Sequence, residues 1–191
     1  AVIDDGVNGS HPELKNRYNK NVSAIIANRS RDTNEHGTQC AGVIAAEANN
    51  GLCGVGVAYD CKIAGIRLYS DKQATDADEA QAFYRDHINP TMVDIFSNSW
   101  GPPDTGFFVR GPGRLAAAAL ELGILKGRRG LGSIYVFSCG NGALFEDSCA
   151  FDGYVNSIYT IPVASITKDG KLTSFSEPCS AVMTAVYSSD M

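Results

Sequence analysis

What most constrains this chain is the alternation of short apolar runs with longer stretches of helical character. Residues 1–3, 62–68, 93–97, 133–137 and 158–163 read as strands. Residues 37–47, 75–87 and 112–126 read as helices. The last carries Leu115, Ala116, Ala119, Leu120 and Leu122 and is ended by the segment with Gly127 and Gly130. Residues 14–34 read as a polar connection. Strand and helix alternating at this spacing predict βαβ units and a mostly parallel sheet, an α/β fold. With 191 residues, 44% hydrophobic and 19% charged, the chain suits one globular domain with a sizeable core. In such sheets ligands sit beyond the carboxyl ends of strands, where Asp4, Ser99 and Asn141 fall.

Two runs place reactive groups at those ends. Val2-Ile3-Asp4-Asp5-Gly6 is a strand ending in carboxylates. Glu35-His36-Gly37-Thr38-Gln39-Cys40-Ala41-Gly42 sets a histidine ahead of an apolar helix that includes Cys40, Ala41, Val43, Ile44, Ala45 and Ala46. An acid at a strand end, followed in sequence by a histidine at a helix start, is the front half of an acid, histidine, serine triad. Each element has a plainer reading by itself. Paired acids such as Asp4 and Asp5 bind metals in phosphoryl-transfer domains, and histidines commonly cap or pack against helices. Gly140-Asn141-Gly142 offers an ordinary Asn-Gly turn, or a carboxamide aimed at a developing oxyanion. Taken with Asp4 and His36, the oxyanion reading prevails. His11 and His87 read as surface residues.

Composition narrows the partners. A net charge of -5 argues against nucleic acid. No run of about 18 apolar residues is present to suggest a membrane-spanning helix. Six cysteines (Cys40, Cys53, Cys61, Cys139, Cys149, Cys179) follow no CxxC spacing, so a structural zinc site is not expected, and spacing does not pair them. Sequons at Asn8, Asn21 and Asn28 favour a secretory-pathway protein. Ala1 opens inside a strand without an initiator methionine, so an interior piece of a longer chain is expected.

The chain resembles the catalytic domain of the kexin/furin-like proprotein convertases, a branch of the subtilisin-like serine proteases. The matching stretches are Ile3-Asp4-Asp5-Gly6, His36-Gly37-Thr38-Gln39-Cys40-Ala41-Gly42, Asn49-Asn50-Gly51-Leu52-Cys53-Gly54-Val55-Gly56-Val57-Ala58-Tyr59, Ser99-Trp100-Gly101-Pro102, Gly132-Ser133-Ile134-Tyr135-Val136 and Asp147-Ser148-Cys149-Ala150-Phe151-Asp152-Gly153-Tyr154-Val155-Asn156-Ser157-Ile158-Tyr159. They run in family order across nearly the whole chain. The resemblance implies a subtilisin-like three-layer α/β fold with a mostly parallel sheet, incomplete at the C-terminus. It also implies a calcium-dependent serine endopeptidase that cleaves precursor proteins after single or paired basic residues. Asp4 resembles the triad acid, His36 the general base and Asn141 the oxyanion-hole asparagine. Ser99, Trp100 and Gly101 fall in the segment that pairs with substrate backbone.

The same resemblance assigns subsites and ions. Asp104 and Asp152 would line the pocket for the basic residue before the scissile bond. Asp5 and Asn34 would serve the second position, and Glu79 with Tyr154 the fourth. Asp104, Asp147 and Glu177 match a calcium cluster beneath the first pocket, while Glu13, Asn50 and carbonyls near Leu52 and Gly54 resemble part of a second site. Cys149 and Cys179 match a family disulfide, and Cys53 matches a cysteine whose partner falls beyond Met191. Implied partners are precursor proteins with basic sites, a propeptide and a downstream P domain. The implied location is the secretory pathway, with Golgi lumen, membrane anchorage of the parent, or secretion all open.

Departures from the family pattern shape further expectations. Arg110 stands where an acid is usual near the fourth pocket, Pro103 and Thr105 replace flanking acids, and Cys139 replaces a serine. The changes at Arg110, Pro103 and Thr105 are expected to weaken selection for distant basic residues. No serine of the chain has the family's Gly-Thr-Ser context, so residues 1–191 are expected to form a partial catalytic domain that is inactive alone. The alternative is a naturally truncated form that binds calcium and basic peptides without cleaving them.

Overall fold

The computed structural model describes residues 1–26, 35–52, 54–69, 73–84 and 93–190. Asn34, Cys53, His87, Met191 and the Asn28 sequon lie outside the described residues. The described residues divide into two units. One comprises Ala1–Ser97 with Leu115–Ser133, the other Asn98–Arg114 with Ile134–Met191.

The first unit is built on parallel strands. β1 (Val2–Asp4) pairs in parallel with β3 (Gly65–Arg67), and β2 (Ala24–Ile25) pairs in parallel with the other side of β3. The start of β4 (Ile95–Asn98) is tied to the first residue by Ser97 N–H donating to the Ala1 carbonyl at 2.8 Å. β2 is an addition to the strands expected from sequence. Two residues inside a polar connection carry no periodicity, and only pairing with β3 makes them a strand.

Helix α1 (Glu35–Ala45) buries Gly37, Ala41 and Ala45, four residues apart and therefore on one face. That face packs into a core with Val2, Val7, Leu14 and Ile63. Val43, expected among the apolar helix residues, points to solvent. α2 (Asp76–Phe83) opens on a reciprocal cap: Thr75 Oγ1 accepts from Asp78 N–H, and the Asp78 carboxylate accepts from Thr75 N–H at 2.9 Å. α3 (Arg114–Gly130) loses helical geometry at Gly127 (φ -58°, ψ 156°), and Arg128 and Arg129 follow in the left-handed region. The helix thus stops where the glycines predicted. Arg128 also reaches Asp94 at 2.9 Å.

In the second unit β5 (Ile134–Ser138), β6 (Ile161–Ile166) and β7 (Thr184–Tyr187) pair in parallel in that order. β6 starts at Ile161, later than the expected residue 158. Residues 158–160 are instead held in a turn, with Tyr159 N–H donating to Ser157 Oγ at 3.2 Å and Thr160 N–H to the Ser157 carbonyl at 3.3 Å. β7 was not expected at all, because every one of its residues is exposed and no alternation marks it. Trp100, Phe137 and Tyr154 form a cluster of rings, with centroids 5.3 Å and 5.2 Å from Trp100 in edge contacts. Cys149 and Cys179 are joined as a disulfide with Cα atoms 5.4 Å apart. Closing a loop of that length restricts the unfolded chain by about 3.6 kcal/mol in the chain-entropy account.

Candidate active site

In the first unit, β1 delivers Asp4 at its carboxyl end, and α1 presents His36 in its first turn. The His36 Nδ1 lies 2.9 Å from both Asp4 carboxylate oxygens. An ionised carboxylate only accepts, so this contact fixes the proton on Nδ1 and leaves the Nε2 lone pair as a base. The His36 side chain is 56% exposed while that of Asp4 is 7% exposed, so the acid is held inside and the base faces outward. Burial pushes the Asp4 carboxyl above its ordinary value. The Asp5 N–H, donating to Asp4 Oδ1 at 2.7 Å, and the His36 ring pull it back.

Asp5 does something different. One oxygen accepts from the Glu35 and His36 amides at 3.1 and 3.3 Å, and the other from Gly37 N–H at 2.8 Å. These are unsatisfied first-turn amides of α1, and a carboxylate there also meets the positive end of the helix dipole. Gly37 is required by close approach: a Cβ there would collide with the Gly6 carbonyl oxygen and sit 2.9 Å from Asp4 Cβ. One turn on, the Cys40 sulfur lies within 4.8 Å of the Asp4 and His36 ligand atoms.

The second unit holds an acid-lined cavity. Its walls include Ser99, Trp100, Gly101 and Asp104 from the segment after β4, and Asn141 from the segment after β5. Asp147, Asp152 and Glu177 complete the acids. Each carboxylate is anchored by backbone. Asp104 accepts from Asn141 N–H, Glu177 from Gly142 N–H, Asp147 from Ser148 N–H, and Asp152 from Tyr154 N–H, at 2.7–2.9 Å. Burial pushes Glu177 up to about 7, helped by the charges of Asp147, Asp104 and Asp152. Asp152 rises to about 6, again chiefly by burial, with Asp104 and Asp147 adding to it.

Asn141 is not in a two-residue hairpin turn. Its φ is not positive, and Gly142 sits at φ -91°, ψ 8°. Both flanking glycines are dictated by the acids. A Cβ on Gly140 (φ 97°) would overlap the Glu177 carboxylate, and one on Gly142 would lie 2.7 Å from Asp147 Cβ and 2.8 Å from Glu177 Oε1. The exposed Asn141 side chain is thereby presented at the cavity.

The remaining expected residues are placed as follows. Glu13 and Asn50 meet, with Asn50 Nδ2 donating to Glu13 Oε2 at 3.1 Å, and Leu52 N–H donates to Asn50 Oδ1. Glu79 is buried in α2, and Tyr154 is buried within the aromatic cluster. Sequence reasoning missed Phe108 as part of the cavity wall, although the apolar run Phe107-Phe108-Val109 in a polar loop could have flagged it.

Comparison with known proteins agrees with this geometry. Residues 1–188 match the subtilase family. Human furin is 44% identical over 99% of this chain and 24% of its own length, and human proprotein convertase subtilisin/kexin type 6 is 46% identical over 99% of this chain and 20% of its own length. The chain therefore spans about a quarter of the length of the curated relatives it matches. Among solved structures, the serine protease of Aeromonas sobria superposes with a TM-score of 0.80 at 20% identity over 99% of this chain and 35% of that one. A cold adapted subtilisin-like serine proteinase gives 0.73 at 23% identity over 98% of this chain and 62% of that one. These likenesses identify the fold as subtilisin-like. The chain belongs to the subtilase family, and its similarity within that family is to the kexin/furin-like members.

Proposed function

We propose that this chain is part of a serine endopeptidase of the proprotein convertase type, cutting precursor proteins after basic residues in the secretory pathway. The observation that carries the reading is the clasp of His36 Nδ1 by both Asp4 oxygens at 2.9 Å. It sets the tautomer a general base needs and stabilises the imidazolium that forms when the base takes a proton. In this scheme His36 Nε2 removes the proton of an attacking serine hydroxyl, contributed by polypeptide outside the 191 residues. His36 then returns that proton to the leaving amine. Asn141 donates its amide N–H to the oxyanion, an interaction worth about 3 kcal/mol in the transition state.

The acid cavity supports selection of a cationic side chain. Asp104 and Asp152 form its anionic wall and would pair with an arginine or lysine before the scissile bond. Asp104, Asp147 and Glu177 also suit a hard divalent cation, because the donors are all carboxylate oxygens, and burial together with the neighbouring charges raises Glu177 while no cation offsets them. Calcium held there would neutralise the cluster and set the shape of the floor. Glu13 and Asn50 fit part of a second ion site. Asp5, with its oxygens on α1 amides, would act on a second basic residue by charge at a distance.

The test is hydrolysis of paired peptides differing only in arginine or norleucine before the cleaved bond, by the protein containing this chain, with and without a calcium chelator. Cleavage restricted to the arginine peptide, abolished by His36→Ala and reduced by Asp152→Asn, is expected. Equal cleavage of both peptides, or activity that survives His36→Ala, overturns the proposal.

A further inference from the structure

We infer that the cavity carries an apolar subsite beside its acids, so that the preferred peptide pairs a basic residue with a bulky aliphatic or aromatic one within a few positions. The inference rests on the proposed reading of the acids as a basic-residue pocket. Three short segments converge on this side of the second unit. Arg110 N–H donates to the Phe151 carbonyl at 3.1 Å, and Gly153 N–H returns a bond to the Arg110 carbonyl, fastening Arg110 to the segment of residues 151–153. Gly106 lies against the 3-10 turn Ala143–Phe145, where an added Cβ would be 3.1 Å from the Phe145 carbonyl oxygen. The segments so joined expose Phe107 (91%), Phe108 (52%) and Phe145 (67%).

Phe108 brings this apolar surface to the acid cavity. Phe108 and Phe151 line the same walls as Asp104 and Asp152. One ligand is therefore asked to satisfy carboxylates and aromatic faces together, and charge complementarity makes its anchoring group cationic. An extended peptide advances about 3.3 Å per residue, so a second side chain within four positions of the anchor spans the cavity. An aromatic wall beside an anionic one rewards an apolar neighbour and penalises an acidic one, whose charge faces Asp104 and Asp152. The occupant is thus a peptide with one basic and one apolar residue, presented extended.

The test measures binding, not turnover. Fluorescein-labelled peptides carry one arginine in a Gly-Ser background, with leucine placed in turn at each of four positions on either side. Affinities are read by anisotropy on the whole protein with calcium present. At least one leucine position is expected to tighten binding about tenfold over the arginine-only peptide, the return for partly burying one aliphatic side chain. Phe108→Ala should cut that gain, read as the ratio of the leucine-peptide to the arginine-only affinity, to about twofold or less. Phe145→Ser, an exposed position, gives a second reading should the first variant fold poorly. If arginine binding is present and weakened by Asp152→Asn, yet no leucine position helps, this inference is overturned and the basic-pocket reading stands. If binding ignores arginine, the basic-pocket reading falls and this inference falls with it.

Discussion

Asp4 and Asp5 are neighbours in sequence with opposite employment. Asp4 points inward, is almost fully buried, and gives both oxygens to one imidazole nitrogen. Asp5 spreads its oxygens over three amides at the start of α1. Their substitutions should therefore separate cleanly. Asp4→Asn keeps the shape but no longer enforces the Nδ1 proton, and kcat on an arginine peptide is expected to fall by about 10⁴ with little change in KM. Asp5→Ala removes the acceptor for the helix amides, and urea unfolding should show a loss of about 1 kcal/mol. The Asp5 variant should retain most of its kcat. If instead Asp5→Ala abolishes turnover at unchanged stability, the helix-anchoring role assigned to it is wrong. The positions of Asp4 and His36 were legible in the sequence because each is a local event, a strand end and a helix start. The Asp5 contact was not legible, since it links residues 30 to 32 apart through amides that carry no sequence signature.

At the scale of elements, glycines decide how the acid cavity is assembled. Gly142 has an ordinary negative φ, so nothing about its backbone demands glycine. The requirement is steric, because a methyl there meets Asp147, Glu177 and Asp104 at 2.7–3.0 Å. Gly142→Ala should displace these carboxylates and lower stability by about 1–3 kcal/mol, with weaker calcium binding measured by titration calorimetry. Gly42→Ala in α1 is the contrasting case, with no atom within 4 Å of its added Cβ. It should gain about 0.5–1 kcal/mol from helix propensity and leave calcium affinity alone. If the two alanines behave alike, crowding by the acids is not the reason for Gly142.

Legibility of elements followed the same divide. α3 was readable to its end because Gly127 breaks it locally. β2 and β7 were not, because a two-residue strand and a fully exposed one exist through pairing alone. At Asn141 the Asn-Gly pair offered a hairpin turn as the plainer reading, and the backbone excludes it, with Glu177 and Asp147 packed around Gly142. Phe108 carries no period to reveal it, and only the apolar run it belongs to, set in a polar loop, marks it in the sequence.

At the scale of the molecule, the acid cluster ties folding to pH and, on the proposed reading, to calcium. Glu177 titrates at about 7 in the folded protein against 4.5 ordinarily, and Asp152 at about 6 against 3.8. A carboxyl whose folded value is raised holds its proton more tightly when folded than when unfolded. Its contribution to stability is present below its ordinary value and is lost as pH rises through the folded value. Without calcium, these two groups should make the melting temperature fall across about pH 3.8 to 7, Asp152 acting up to about 6 and Glu177 from 4.5 to about 7. Glu177→Gln removes the larger of the two slopes. The chelated variant should match the parent near pH 5 and melt higher than it near pH 8. On the proposed calcium reading the sense reverses, because the ion would bind the ionised carboxylates of the folded state and stabilise it by mass action. The difference in melting temperature with and without calcium should therefore widen steadily from pH 5 to pH 8 in the parent. In Glu177→Gln it should stay small throughout. A calcium effect of constant size across that range, or one undiminished in Glu177→Gln, would place the stabilising ion somewhere other than the Asp104, Asp147 and Glu177 cluster.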